Sequence, residues 1–536
     1  MPTITESKKK QSKGSKDSSS AKKGLLKTLA IATAFGGALG LSAPGMDQWY
    51  LAWIGVAPLL IMVGASTGVI QASLIGLAFG FGYSFVYANW LFGLQPLNWL
   101  GFNWWQGALL ATAALTFVSI HQGLITAMFA FLCRAIPQTS GFLPKKSGKG
   151  FALPTLLAIP LLWVLIHHLI GNAHDALGIP WTMLEYSQYR QHHIIQMVSV
   201  TGGIGLCFLM MMFNTAFASL VTAFMKKKSA KMLNAGSHEN AYYQVLSVVL
   251  VIAAFIAVGF YQQSQNKVAP TITASAIQGN INIEMQKTEH HYTLTELWQH
   301  YLNLENQAPS GLCVWSEGSL PAYLRYEPTL VSNLAQVAGK RRQDLIIGSI
   351  DRDMAGHPYN AAYGMSSEGT LQREVYHKRY LVPFGEYTPF LVNYFPEWIK
   401  RLTNTPAGGG YQAGKRPVVF HFNEAAVSPL ICFETLSPEI CASAVRAGGQ
   451  LLVNVSDLAW FHRSICGKQM IAFATMRAVE NRRYFIFAAN TGPSAIIDSD
   501  GNILQISSLE KSEVLIGKVG LNSRITPFTS WFRIGE

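Results

Sequence analysis

Apolar residues run in seven blocks along the first half of the chain, at roughly 24–43, 50–65, 67–92, 105–133, 151–170, 194–225 and 243–262. Helices of such length can cross the hydrocarbon of a bilayer. Between Asp47 and Arg134 there is no Asp, Glu, Lys or Arg. A water-soluble unit of that size could not cover its surface without charge, so the pattern predicts lipid as the solvent. The 50–65 block is short, which suits a tilted or interfacial segment, or one joined to its neighbour. Pro44 follows the small residues where a signal peptide would have to be cut, and further blocks follow at once, so the first block reads as a span.

From about residue 265 the pattern changes to short apolar runs alternating with helical periodicity. Strands are predicted at 271–277, 312–315, 345–349, 418–422, 427–431, 451–455, 485–489 and 494–497, and helices at about 288–306, 436–447 and 467–482. Continuous apolar strands imply sheets covered on both faces. The expected fold is therefore a multi-span α-helical membrane domain over 24–264 followed by a layered α/β domain over 265–520, with a short tail at 521–536.

Charge orients the chain. The formal net charge is +12, but residues 1–27 alone hold eight lysines against Glu6 and Asp17. Residues 1–23 read as a disordered basic tail on the cytoplasmic side, and no basic domain interleaved with aromatics follows, which excludes nucleic acid as the partner. The loop with Arg134, Lys145, Lys146 and Lys149 and the loop with Lys226, Lys227, Lys228 and Lys231 are also basic. Seven spans put all three segments on one side, the cytoplasm, and residues 265–536 on the external face. Trp104, Trp105, Trp181 and Tyr186 fall near the external boundaries, as an aromatic belt or as the walls of a lipid entrance. His121, inside a span, suits a hydrogen bond between helices.

The six cysteines contain no close pair of metal-ligand spacing, so no zinc site or disulfide scaffold is expected. Cys133 and Cys207 lie in apolar blocks, as packing residues. Cys432 differs because Glu317 and Lys378 also lie at or near the ends of apolar runs. In layered α/β folds reactive groups collect just beyond strand ends. A thiol needs a base or nearby cation to become a nucleophile. Glu317 can accept its proton, and the compact Lys378 ammonium can stabilise the thiolate and then an oxyanion. Backbone N–H groups after Cys432 could complete an oxyanion hole. That set predicts acyl transfer through a thioester. Each residue also has a plainer reading, as a packed thiol, a solvated basic turn beside Arg379, and a helix cap before Gly318.

The segments Gln278-Gly279-Asn280, Trp315-Ser316-Glu317, Lys378 through Glu386, Cys432-Phe433-Glu434 and Ala459-Trp460-Phe461 resemble the nitrilase-like domain of apolipoprotein N-acyltransferases. Tyr376-x-Lys378-x-x-Leu381-Val382-Pro383-Phe384-Gly385-Glu386 is the most specific match, and the likeness extends upstream through Gly178-Ile179-Pro180-Trp181 and Tyr186-Ser187-Gln188. The resemblance implies a Glu-Lys-Cys triad at Glu317, Lys378 and Cys432. Glu386 and Glu434 would be accessory acidic residues, and Phe433 and Trp460 would lie near the substrate. It also implies a bacterial inner-membrane enzyme whose catalytic domain faces the periplasm. A fatty acyl group would pass from phospholipid to Cys432 and then to the amine of a diacylglyceryl lipoprotein, with no cofactor. A membrane-bound amidase releasing the acyl group to water, or a non-catalytic lipoprotein-binding relative, would be the alternatives.

The chain departs from the family pattern in several places. Ser316 stands where Pro is frequent, Phe433 where Tyr is frequent, Lys287 where a Trp is expected, and Asp457-Leu458 where Asn-Asp is usual. A final span common in the family does not follow Ile525-Thr526-Pro527-Phe528. These departures leave the triad intact and bear on substrate recognition.

Overall fold

A computed structural model of the protein describes residues 4–98, 101–136, 138–139, 153–171, 178–229, 236–265, 267–282, 292–383, 385–387 and 410–532. The seven apolar blocks fall on helices: α1 (Ile4–Gly40), two short helices at Leu51–Ile54 and Ala57–Ala65, α2 (Val69–Tyr87), α3 (Trp104–Ala135), α4 (Thr155–Gly171), α5 (Val198–Ser229) and α6 (Gly236–Gln265). Four stretches among the described residues are long and apolar enough to cross a membrane: Val69–Tyr87, Trp104–Ala135, Val198–Met225 and Asn240–Gln265. Leu51–Ala65 and Thr155–Gly171 are shorter apolar helices. The entry into α3 is fixed by a reciprocal cap. Asn103 Oδ1 accepts the Gln106 N–H at 3.0 Å and Gln106 Oε1 accepts the Asn103 N–H at 3.0 Å.

The second half folds into two six-stranded sheets. The first contains β1 (Pro270–Gln278), β2 (Gly311–Tyr323), β3 (Gln343–Arg352), β4 (Pro358–Met365), β5 (Tyr376–His377) and β12 (Glu513–Gly520), in the order β12-β1-β2-β3-β4-β5. The second contains β6 (Phe420–His421), β7 (Ala426–Ile431), β8 (Leu451–Ser456), β9 (Phe485–Ala489), β10 (Ala495–Ile497) and β11 (Ile503–Ile506), in the order β11-β10-β9-β8-β7-β6. The centres of both sheets are parallel, β1-β2-β3 and β7-β8-β9, and their edges antiparallel.

Alternation along the strands builds the layers. Ala274, Val314 and Ile346 of the first sheet meet Val427, Val453 and Ile486 of the second in the central core. On the outer side of the first sheet, Trp315 and Ile347 pack with α7 (Leu294–Glu305) and α8 (Pro328–Arg341) through Leu297, Tyr301 and Leu334. On the outer side of the second, Leu452, Phe485 and Phe487 share one core with α9 (Pro438–Arg446), α10 (Cys466–Asn481) and the membrane helices. Every residue of α10 except Lys468 is buried, because the sheet covers one side and membrane segments the other. An ion pair joins Arg477 Nε to Glu480 Oε2 at 3.2 Å, and Glu480 Oε1 accepts the Gly203 N–H of α5 at 3.0 Å. Residues Pro527–Trp531 form α11, and Phe528 and Phe532 pack against Ala442 of α9.

Each strand anticipated from apolar runs is present, with 418–422 shortened to β6. Unanticipated were β4, β5, β11, β12, α8 and α11. In β4 the run Asn360-Ala-Ala-Tyr-Gly has Tyr363 as its one strand-favouring residue, and its antiparallel pairing with β3 supplies what propensity does not. Trp181 and Tyr186 are buried, unlike membrane-boundary residues, whereas Trp104 and Trp105 remain exposed.

Candidate active site

Cys432 stands where β7 ends and a short helical turn, Cys432–Leu436, begins. Its φ is +48°, a conformation that side-chain-bearing residues rarely adopt and that is held only when neighbours over-determine it. Asn454 of the adjacent β8 does so: its amide donates to the Cys432 carbonyl at 3.1 Å and to Thr435 Oγ1 at 2.7 Å. Cys432 is partly exposed while the other five cysteines are buried. Burial and the nearby Glu317 push its thiol pKa up, and Lys378 and the Asp457 backbone N–H pull it back. At rest the sulfur therefore carries its proton, and a base would be needed for it to act as a nucleophile.

Glu317 lies where the pairing of β2 with β3 loses register, between Trp315 and Leu320. Gly348 makes this irregularity fit, since a Cβ there would stand 2.6 Å from the Glu317 Cα. Glu317 Oε2 accepts the Asp457 N–H at 2.7 Å, and Oε1 accepts the Asn360 side-chain amide at 2.7 Å. Burial raises the Glu317 pKa, Lys378 opposes that, and Glu386 adds to it. A carboxyl whose affinity for protons is raised is a better acceptor for a thiol proton.

Lys378 follows the two-residue β5, and its backbone N–H donates to the Asn360 carbonyl at 2.9 Å. Its side chain is 1% exposed, with Nζ 2.9 Å from Glu386 Oε1 and 3.5 Å from Glu317 Oε1. Burial alone would lower its pKa, but Glu386, Glu317 and Cys432 together raise it, so the ammonium is kept. Glu386 is itself fixed by the Val382 N–H at 2.8 Å and by the Asn360 amide at 2.6 Å. Asn360 thus bonds both carboxylates that flank the ammonium. Glu434 ties the two loops together, accepting from Ile431 N–H at 2.7 Å, Arg379 N–H at 2.5 Å and Tyr376 hydroxyl at 2.7 Å.

The apolar side of the site comes from both halves of the chain. Phe433 packs on Tyr380 at 5.2 Å and on Trp181 at 5.7 Å between ring centroids. Trp181 in turn lies 4.5 Å from Trp90, which meets Phe461 edge-on at 5.0 Å. The Trp181 indole N–H donates to Gln469 of α10, whose amide donates to the Tyr87 carbonyl at 3.0 Å. Trp460 is half-buried in the same turn as Phe461. Gly93 lets this turn press on the membrane segment, since a Cβ there would be 2.5 Å from the Phe461 carbonyl oxygen.

The structure brings together Glu317, Lys378, Cys432, Glu386 and Glu434, and sets Phe433 beside them. Sequence reasoning missed Asn360, Asn454 and Trp90. For Asn454 the signal was a polar residue inside an otherwise apolar strand, whereas Asn360 lies in β4, which no apolar run marks. The Ser316 departure is accommodated, its hydroxyl lying 2.7 Å from that of Tyr301. Lys287 lies outside the described residues. One group of metal-ligating types, His168, Glu185 and Cys207, lies within 4.8 Å of one another among the described residues. Arg477 adjoins it and already supplies positive charge there.

The two halves match two known domain families. Residues 35–216 match the apolipoprotein N-acyltransferase N-terminal domain, and residues 273–525 match the carbon-nitrogen hydrolase family. An apolipoprotein N-acyltransferase of Geobacter metallireducens is 31% identical over 497 residues, covering 90% of this chain and 87% of its own. The chain belongs to the apolipoprotein N-acyltransferase family. A second member of that name, from Nitrosomonas europaea, is 29% identical over 81% of this chain and 80% of its own. Among solved structures, an amidase of the nitrilase superfamily from Nesterenkonia AN1 aligns with 49% of this chain and 95% of its own, at 14% identity and a TM-score of 0.37.

Proposed function

We propose that this chain N-acylates lipoproteins, with Cys432 as nucleophile, Glu317 as base and Lys378 as the stabilising cation. Supporting this reading is one observation above others: a buried ammonium, two carboxylates and a partly exposed thiol converge beside an aromatic strip that begins in the membrane domain. Glu317 takes the thiol proton as sulfur attacks the ester carbonyl of a phospholipid. Lys378 balances the negative charge on the carbonyl oxygen. The C–O bond then breaks, the lysophospholipid leaves with the proton from Glu317, and an acyl-thioester remains on Cys432. The amine of an S-diacylglyceryl cysteine attacks the thioester next. Its proton passes to Glu317, the C–S bond breaks, and the proton returns to the thiolate as the amide forms.

In this reading the membrane half does more than anchor. Lipid substrates stay in the bilayer while Trp90, Trp181 and Phe433 line their approach. The basic loops orient residues 265–520 toward the periplasmic face of a bacterial inner membrane. Mass spectrometry of a lipoprotein N-terminus after incubation with the purified protein and phospholipid tests the function. The expected product carries one additional amide-linked acyl chain. Recovery of free fatty acid with an unmodified acceptor would overturn transfer in favour of hydrolysis.

A further inference from the structure

We propose that a polar pocket beside the 457–461 turn binds the peptide that follows the acceptor's N-terminal cysteine, so that it sets affinity for the lipoprotein. This rests on the acyl-transfer reading above. The pocket has a volume of about 210 Å³ and is lined by Asn280, Asn282, Ala459, His462, Thr491 and Glu510. Its wall is linked to the reaction centre. The Asn490 amide donates to Asp457 Oδ1 at 3.1 Å and to the Ile281 carbonyl at 2.8 Å, and the Asp457 backbone donates to Glu317. His462 follows Phe461, which packs on Trp90, so the turn has an apolar face toward the membrane segment and a polar face on the pocket.

The lining selects the occupant. Amide, hydroxyl and imidazole groups offer nothing to an acyl chain, which the aromatic strip suits instead. Arg463 Nε holds Glu510 Oε2 at 2.6 Å, so the carboxylate is balanced and a phosphate would meet no uncompensated cation there. What remains is a neutral ligand recognised by hydrogen bonds, as peptide units are. The backbone supports a binding role. Asn280, His462 and Glu510 have φ of 56°, 43° and 53°, where glycine would fit with less strain, and all three are nevertheless polar residues lining this one pocket.

That geometry supplies clean variants, because Asn280→Gly and His462→Gly remove the side chain while easing the backbone. The full-length protein is assayed with phospholipid and two acceptors: S-diacylglyceryl cysteine amide, and the same cysteine followed by four small polar residues. The wild type should show a KM about tenfold lower for the longer acceptor. Each glycine variant should lose that advantage, with kcat and phospholipid-dependent thioester formation retained and thermal unfolding near that of the wild type. If unfolding shifts markedly, Thr491→Val is read in the same way. Equal KM values for both acceptors in the wild type, or an advantage that survives in the variants, would overturn the proposal. So would loss of thioester formation in a folded variant, which would assign the pocket to the donor headgroup. Absence of any N-acylated product from the wild type with either acceptor would overturn the functional reading and this inference with it.

Discussion

The carboxylate of Glu434 accepts the backbone N–H of Arg379 at 2.5 Å, fastening the residue after Lys378 to the turn that starts at Cys432. Two loops far apart in sequence are thereby held in one geometry from below the reaction centre. The partners of Glu434 are all donors, the N–H groups of Ile431, Arg379 and Tyr380 and the hydroxyl of Tyr376.

Glu434→Gln should therefore be disruptive despite its shape. Its amide nitrogen must face a backbone N–H in a fully buried site, leaving unsatisfied donors that cost about 1–3 kcal/mol. The expected outcome is lower thermal stability and thioester formation slowed by about tenfold or more. A wild-type single-turnover rate in the folded variant would remove Glu434 from the positioning of Lys378.

As the proposed base, Glu317 would give the reaction its acid limb. It must be a carboxylate to accept the thiol proton, and burial raises its pKa above the ordinary 4.5. Thioester formation should rise with pH through that elevated value, hence at higher pH than for an exposed glutamate. Asn360→Leu removes a donor to the charged form and should move the limb higher still. Single-turnover rates across pH 4–9, read by intact-protein mass spectrometry, check both; an acid limb at or below 4.5 sinks the assignment.

Cys432→Ala should abolish thioester formation and transfer. Cys441 and Cys466 are buried in helices, so Cys441→Ala and Cys466→Ala should lose some stability through small cavities yet keep substantial activity. Normal turnover by Cys432→Ala would dismiss the mechanism.

How much of this was legible in the sequence follows from what each residue type can signal alone. β7, β8 and β9 announce themselves as apolar runs because both faces are covered. The Lys378–Glu386 loop was legible through its motif. Asn360 was not, because its role depends on Glu317 and Glu386 lying on either side of one amide, a relation that only the fold creates. Hydropathy places Trp181 near the membrane boundary, in an aromatic belt or in the wall of a lipid entrance, and only the first of these is at odds with its burial. Its burial reflects α10 and Phe433 closing over it, a tertiary contact invisible to hydropathy.

The aromatic junction should be a point of coupling. Trp181→Ala opens a cavity between Trp90, Phe433 and Phe473 and deletes the donor to Gln469, at about 3–5 kcal/mol. Phe433→Ala should slow acyl transfer more than it destabilises, since Phe433 is only partly buried. Phe433→Tyr, which keeps the ring, should stay active. Comparing thermal unfolding with transfer rates separates the two effects, and an unaltered rate in Phe433→Ala would exclude that ring from the substrate path.

Orientation can be tested without activity. The basic segments at residues 8–27, 134–149 and 226–231 would share one side in a seven-span arrangement, and lysine-rich segments are retained in the cytoplasm. A phosphatase active only outside the cytoplasm should work when fused after residue 500 and fail when fused near Lys228. Replacing Lys226, Lys227, Lys228 and Lys231 by serine weakens one signal of three, so the bias set by the tail and the first loop should still hold, with some molecules misinserted. The reciprocal reporter, active only in the cytoplasm, should give the mirror image at both sites. A phosphatase active near Lys228 and silent after residue 500 would invert the protein, placing Cys432 in the cytoplasm.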